Sequence, residues 1–270
     1  NYLDWNNLIP ILKKAYQMKI NVLIIGPKGS GKTTLIQYLA EELGKELYTV
    51  NFSLRTKESN LIGTISLDGN STKFNYGILP LSMKAGGILY LDEVNAAEPD
   101  VLIRLDEALD DRRQLVLKES EKVEVIQAHP DWWVVATINP LSHTGTKELP
   151  QQLLSRFPIR IWLDYPPVET IINIVQNNIG GIENQHLEII KKAVFLMLRL
   201  YEAHKMDEIY YSPSLREVIA FAKLIRDGID FKDALKIVFI NCYYQWGSIA
   251  VNKVLQFTES IFGKIEGDEK

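Results

Sequence analysis

Gly26-Pro27-Lys28-Gly29-Ser30-Gly31-Lys32-Thr33 fits the pattern G-x-x-x-x-G-K-[ST], which carries meaning only between a buried strand and the start of a helix. Both flanks are present. Val22-Leu23-Ile24-Ile25 is a short apolar, β-branched run that reads as a buried parallel strand. From Thr34 onward, Leu35, Leu39 and Leu43 recur four apart with Ile36 and Ala40 beside them, and Gly44 follows as a stop signal. The chemistry explains the residue types. Glycines let successive backbone N–H groups turn toward phosphate oxygens, and a helix N-terminus adds partial positive charge. Lys32 is placed to reach the β- and γ-phosphates and the Thr33 hydroxyl to ligate Mg²⁺. The whole stretch, with Thr34 at its exit, is the candidate nucleotide-binding set. A Gly/Lys-rich surface turn would explain the bare pattern, but not its flanks.

The bulk properties leave room for this. The 270 residues suffice for a large core and two domains, and 46% apolar with 24% charged residues is ordinary for a soluble globular protein. No apolar run reaches the length of a membrane span, and there is no signal peptide. Cys242 is the sole cysteine, which excludes an internal disulfide and suits a reducing cytoplasm. His129, His143, His186 and His204 lack metal-ligand spacing. A net charge of −4 argues against nucleic acid as the main partner. Asn1 in place of Met leaves the native N-terminus open.

A second site of chemistry is Gly87-Ile88-Leu89-Tyr90-Leu91-Asp92-Glu93, an apolar strand ending in two carboxylates. Downstream of a phosphate loop this suits metal-dependent triphosphate hydrolysis. Asp92 would hold Mg²⁺ through its water shell, and Glu93 would orient and polarise the attacking water. A third strand, within Trp132–Ile138, delivers Asn139-Pro140. The Asn139 amide is either a simple cap or a hydrogen-bonding partner of the γ-phosphate or the water.

Around these lie further elements. Residues 5–18 read as an amphipathic helix with Leu8, Ile11, Leu12, Ala15 and Tyr16 on one side, either packing on the sheet or bordering an adenine pocket. Residues 46–52 read as a strand. Asp68-Gly69 marks a hairpin within 64–77, whose Phe74 and Tyr76 either grip a partner or pack on the domain surface. A helix resumes over 78–84, and Pro99 suits the first position of another that closes at Asp110-Asp111-Arg112-Arg113. Those arginines are a solvated helix end or face a neighbouring subunit's phosphates. Residues 114–125 form a second hairpin around the polar turn 118–122. A strand over 159–163 precedes Tyr165-Pro166-Pro167, which breaks the pattern. Beyond it the chain reads helical over 168–179, 183–205, 213–227, 230–246 and 248–262, ending in a charged tail expected to fray. The expected fold class is α/β: a parallel sheet flanked by helices over 1–164, then a smaller all-helical domain over 165–270.

Taken together, the phosphate loop, Leu-Asp-Glu, Thr-Ile-Asn-Pro, Ser-Arg-Phe and Ser-Pro-Ser-Leu-Arg resemble an AAA+ ATPase, and more narrowly the MoxR branch with its CbbQ, NorQ and GvpN group. The resemblance covers almost the whole chain. It implies ATP as the nucleotide, Asn139 as the sensor-1 residue, Arg156 as an arginine finger acting on the next subunit, and Arg216 as the sensor-2 residue. The two hairpins fall where this branch carries its helix-2 insert and pre-sensor-1 hairpin. Gln151-Gln152 departs from the acidic or small residues common before the finger.

The resemblance further implies a homo-oligomeric ring, hexameric in form, that remodels a client protein, often beside a partner bearing a von Willebrand factor A domain. Lys73, Phe74 and Tyr76 are then candidate pore contacts. A nucleic-acid motor is the alternative, but its hairpins would need net positive charge. The first carries one Lys and one Asp, and the second two Lys against three Glu. A small-molecule kinase would need a phosphoacceptor pocket, for which the sequence offers no motif.

Overall fold

The computed structural model describes residues 2–68, 71–118, 123–140, 147–180 and 184–265. The expected hairpin turns at Gly69 and 119–122, His143, Glu183 and the tail beyond Ile265 lie outside them. The chain divides into two compact units, Asn1–Pro27 with Gly31–Asp164, and Lys28–Ser30 with Tyr165–Lys270.

The first unit starts with α1 (Leu8–Met18), β1 (Val22–Ile25) and, after the phosphate loop, α2 (Lys32–Leu43). Next come β2 (Leu47–Asn51), the one-turn α3 (Glu58–Ile62), the hairpin of β3 (Gly63–Asp68) and β4 (Ser71–Tyr76), and α4 (Ile78–Ala85). β5 (Ile88–Asp92) leads to α5 (Pro99–Ala108), a second hairpin of β6 (Gln114–Leu117) and β7 (Glu124–Gln127), and β8 (Trp133–Ile138). α6 (Gln151–Ser155) and β9 (Ile159–Trp162) complete it. The five main strands stand in the order β2-β5-β8-β1-β9, all parallel. Parallel neighbours require crossovers that cover both faces, which is why the inner strands β1, β5 and β8 are almost wholly apolar and buried, while the edge strands β2 and β9 expose Thr49 and Arg160.

Register sorts the two faces. Val22 and Ile24 align with Val135 and Thr137, and Tyr90 aligns with Val135. That face packs on α1 and α2 through Leu12, Tyr16, Leu35, Ile36 and Leu39. Leu23, Leu89, Leu91, Val134 and Ala136 form the other face, buried against Leu61 of α3, Met83 of α4, Leu105 of α5 and Leu153 of α6. Trp133 is fully buried, donates from Nε1 to the Ile20 carbonyl at 2.7 Å, and meets Tyr16 edge-on at 5.7 Å. Such an aromatic pair adds roughly 0.5–1.5 kcal/mol beyond its buried area.

The structure departs from the sequence reading in several places. On α1 it is Ile9 that is buried, while Ile11 is 48% exposed on the far edge of the helix. The polar stretch before Leu61-Ile62 closes into α3, because those two side chains bury fully in the core. Of the two readings of the first hairpin's aromatics, the structure shows the packing one. Phe74 and Tyr76 meet edge-on at 5.6 Å and pack against the domain core, and Tyr76 donates to Glu124 at 2.7 Å. The apolar side chains that the hairpin exposes are Ile65 and Leu67, at 53% and 83%.

The second unit is helical: α7 (Val168–Ile179), α8 (Asn184–Lys205), α9 (Leu215–Arg226), α10 (Phe231–Leu235) and α11 (Ser248–Phe262). Its core joins Ile171, Val194, Met197, Phe221, Phe239 and Val254. The single helix expected over 230–246 is instead α10, a π turn over Lys236–Ile240 and a 3₁₀ stretch over Asn241–Trp246. A π turn carries an extra residue, which lets Phe239 and Ile240 both bury and Tyr243 donate to the Tyr211 carbonyl at 2.6 Å.

α9 opens with a capping box. The Ser214 hydroxyl accepts from the Arg216 N–H at 3.3 Å, and the Glu217 carboxylate accepts from the Ser214 N–H at 2.7 Å. Replacing Ser214 with Ala is expected to cost about 1 kcal/mol. A urea titration should show a lower midpoint at unchanged slope; an unchanged midpoint would mean that the cap does not hold the helix.

Candidate nucleotide site

Parallel strands end together, so adjacent strands deliver their carboxyl-terminal residues to one edge of the sheet. β1 delivers the phosphate loop, β5 delivers Asp92 and Glu93, and β8 delivers Asn139. The loop ends at Gly31, which has φ +95° and is the residue before α2. A side chain there would be strained, which accounts for the glycine.

Lys32 is buried, and its ammonium group is held close to home. It donates to the carbonyls of Gly26 and Pro27 at 2.8 Å each and to Asn139 Oδ1 at 3.0 Å. Asn139 in turn donates from Nδ2 to Glu93 Oε1 at 2.9 Å. The partners fix the orientation of this amide, because an ammonium only donates and a carboxylate only accepts. Lys32, Asn139 and Glu93 therefore form one hydrogen-bonded chain from the loop to the exposed carboxylate. Glu93 itself has φ +55°, an uncommon conformation for a non-glycine residue, and it heads the 3₁₀ turn Val94–Ala96.

A second set of bonds surrounds Asp92. Its Oδ1 accepts from the Tyr90 hydroxyl at 2.7 Å and from Thr137 Oγ1 at 2.6 Å. Tyr90 also bonds Thr33 Oγ1 at 3.1 Å, and Thr137 Oγ1 accepts from the Glu93 N–H at 3.1 Å. Burial pushes the Tyr90 phenol far above its usual range, so it stays a donor. Asn95 supports the same edge by donating to the Asn139 carbonyl at 3.1 Å, while its own buried Oδ1 finds no partner among the described residues.

Tyr90, Thr137 and Asn95 were not among the sequence candidates. A signal for two of them exists. Tyr90 and Thr137 lie two residues before Asp92 and Asn139, and side chains two apart in a strand share a face.

The Thr33 hydroxyl and the Asp92 carboxylate offer only oxygens, a donor set that suits Mg²⁺. Among the described residues there is no cluster of three or more His, Cys, Asp or Glu side chains.

The remaining candidates lie elsewhere. Thr34 is exposed in the first turn of α2, as is Lys28 on the loop, while Ser30 is buried. Arg156 stands at the end of α6 and donates from Nε to Asp106 of α5 at 2.8 Å. Arg216 is an exposed residue in the first turn of α9. Of the two arginines considered as facing a neighbour, Arg113 is held internally. Its guanidinium lies 5.6 Å from the Trp132 ring and donates to the Trp132 carbonyl. Arg112 pairs with Asp110 at 2.6 Å.

Residues 21–157, about half of the chain, match the family model described as an AAA domain of the dynein-related subfamily. The denitrification regulatory protein NirQ of Pseudomonas aeruginosa is 31% identical, with 85% of each chain covered. Protein CbbQ of Hydrogenophilus thermoluteolus is 32% identical over 80% of this chain and 78% of its own. Protein NorQ of Paracoccus denitrificans is 30% identical over 88% and 86%. A crystal structure of a candidate ATPase from Cytophaga hutchinsonii shares the fold, with a TM-score of 0.51 at 19% identity over 96% of this chain and 89% of that one. The expected family and fold class thus hold, and the chain belongs to the AAA+ ATPases of the MoxR branch, alongside NirQ, CbbQ and NorQ.

Proposed function

We propose that this ATPase is Mg²⁺-dependent and works as a ring that spends ATP hydrolysis on remodelling a client protein. The observation that carries the catalytic part is the Lys32–Asn139–Glu93 chain, with bonds of 3.0 and 2.9 Å. In this reading residues 26–34 cradle the phosphates, and Lys32 exchanges its carbonyl partners for phosphate oxygens. Thr33 and Asp92 hold the metal, which neutralises charge on the phosphates when bound. Glu93 polarises the attacking water while Asn139 keeps its carboxylate turned toward the loop. Arg216 serves as a second sensor of the nucleotide.

Arg156 acts on the neighbouring subunit's phosphates. Its support is its place: Arg156 stands at the end of α6, and its side chain is tied to Asp106 on α5. A finger supplied in trans needs head-to-tail contacts that close into a ring. The exposed Ile65 and Leu67 of the first hairpin supply apolar surface for a client. NirQ is named as a regulatory protein, and a role of that kind fits action on another protein. The partner expected from the family, with a von Willebrand factor A domain, belongs to the same reading, as does a cytoplasmic location. Among the described residues no helix is long and apolar enough to cross a membrane.

Light scattering tests the assembly. With a slowly hydrolysed ATP analogue and Mg²⁺ the protein should shift to a hexameric mass, and its specific ATPase activity should rise with protein concentration. A persistent monomer whose specific activity stays constant on dilution would remove the ring.

A further inference from the structure

We infer that Tyr90 is a positioning residue for the metal: its hydroxyl relays between the two groups proposed to hold the cation, Thr33 and Asp92. The inference rests on the magnesium reading above and adds to it a residue outside the loop and the acidic pair.

Hydrogen-bond direction carries the argument. Tyr90 has a single O–H, and at 2.7 Å from Asp92 Oδ1 that proton goes to the carboxylate. Toward Thr33 Oγ1, at 3.1 Å, the phenol oxygen can then only accept. The Thr33 proton therefore points at Tyr90, and the Thr33 lone pairs point away from it. A hydroxyl that ligates a cation needs this arrangement, with lone pair toward the metal and proton toward an acceptor. The chain Thr33 O–H, Tyr90 O–H, Asp92 Oδ1 ends on a carboxylate, which polarises both hydroxyls and makes the Thr33 oxygen a better ligand.

The same network sorts the two oxygens of Asp92. Tyr90 and Thr137 both donate to Oδ1, at 2.7 and 2.6 Å. Among the described residues Oδ2 has no partner, which leaves it for the metal's water shell. Tyr90 is fully buried, so its ring fixes the hydroxyl in place. A purely apolar residue would fill the core equally well, and the hydroxyl is what needs a reason.

Tyr90→Phe removes that hydroxyl and keeps the ring. The test titrates Mg²⁺ into protein with a fluorescent, slowly hydrolysed ATP analogue, alongside a parallel binding curve in EDTA. Outer partners of metal ligands typically contribute 10–100-fold to metal affinity. The Mg²⁺ concentration for half-maximal strengthening of nucleotide binding should rise by about that factor, while affinity in EDTA stays as in the wild type. An unchanged Mg²⁺ midpoint would overturn the proposal. So would an equal loss with and without metal, which would mark Tyr90 as a packing residue. If Mg²⁺ fails to strengthen binding in the wild type as well, the magnesium reading itself falls, and the two failures are thereby told apart.

Discussion

Replacing Glu93 with Gln should leave ATP bound and lower turnover by about 10²–10⁴, the range over which general acid–base groups contribute. At 1.36 kcal/mol per tenfold that is about 2.7–5.4 kcal/mol of barrier. The substitution is a fair test because so little else changes. Gln keeps the side-chain length and an oxygen that can accept from Asn139 Nδ2, now 2.9 Å from the carboxylate. The backbone at φ +55° carries the same demand for either residue. What disappears is the negative charge and the capacity to draw a proton from water. Binding of a fluorescent nucleotide should match the wild type, and phosphate release in single-turnover experiments should show the loss. Turnover within a few-fold of wild type would take the water-polarising role away from Glu93.

The second large effect is at Arg156. Arginine fingers contribute on the order of 10³–10⁵ in rate, so Arg156→Ala should abolish measurable hydrolysis with nucleotide affinity retained. A mixing experiment separates action in trans from action in cis. Each single variant should be nearly inactive alone, Arg156→Ala for want of the finger and Glu93→Gln for want of the carboxylate. When Arg156→Ala and Glu93→Gln subunits assemble together, some interfaces pair an intact Glu93 with an intact Arg156 from the neighbour. Activity should therefore reappear on mixing. If mixed samples stay as inactive as either variant, the finger does not work across an interface.

The ion pair of Arg156 with Asp106, at 2.8 Å and about a quarter exposed, is worth little to stability. Its effect is on geometry. The guanidinium is held on α5 with its Nε engaged, so fewer of its rotamers remain to be fixed when a phosphate competes for it.

Much of the architecture could be read in advance where the signal was local. The run Val22–Ile25, the glycines of the loop and the four-residue spacing after Thr33 each specify their own conformation, and the three agree. The hairpins announced themselves by alternation. What escaped was set by packing at a distance. Glu58–Ile62 is too short and polar to declare a helix, and becomes one because Leu61 and Ile62 bury in the core. The π turn at Lys236–Ile240 follows from the demand that Phe239, Ile240 and Tyr243 all be buried, which an α-helical stripe does not reveal. At the site, the chemistry-bearing residues at strand tips were visible as motifs. Tyr90 and Thr137 were hidden because they count as ordinary strand formers until the register shows which hydroxyls meet Asp92.

The strand order has a further consequence, for the birth of the molecule on the ribosome. β1 emerges first among the strands, yet its two neighbours are β8 and β9, made more than 100 residues later. β2 and β5 can pair early, while β1 waits without a partner on either side. Domains fold as synthesis proceeds at about 5–20 residues per second, and distant pairings form slowly. The loop that grips phosphate therefore has no rigid base until the sheet is closed. ATP cannot guide the early steps of folding, and a nascent chain stalled before Trp133 should be blind to it.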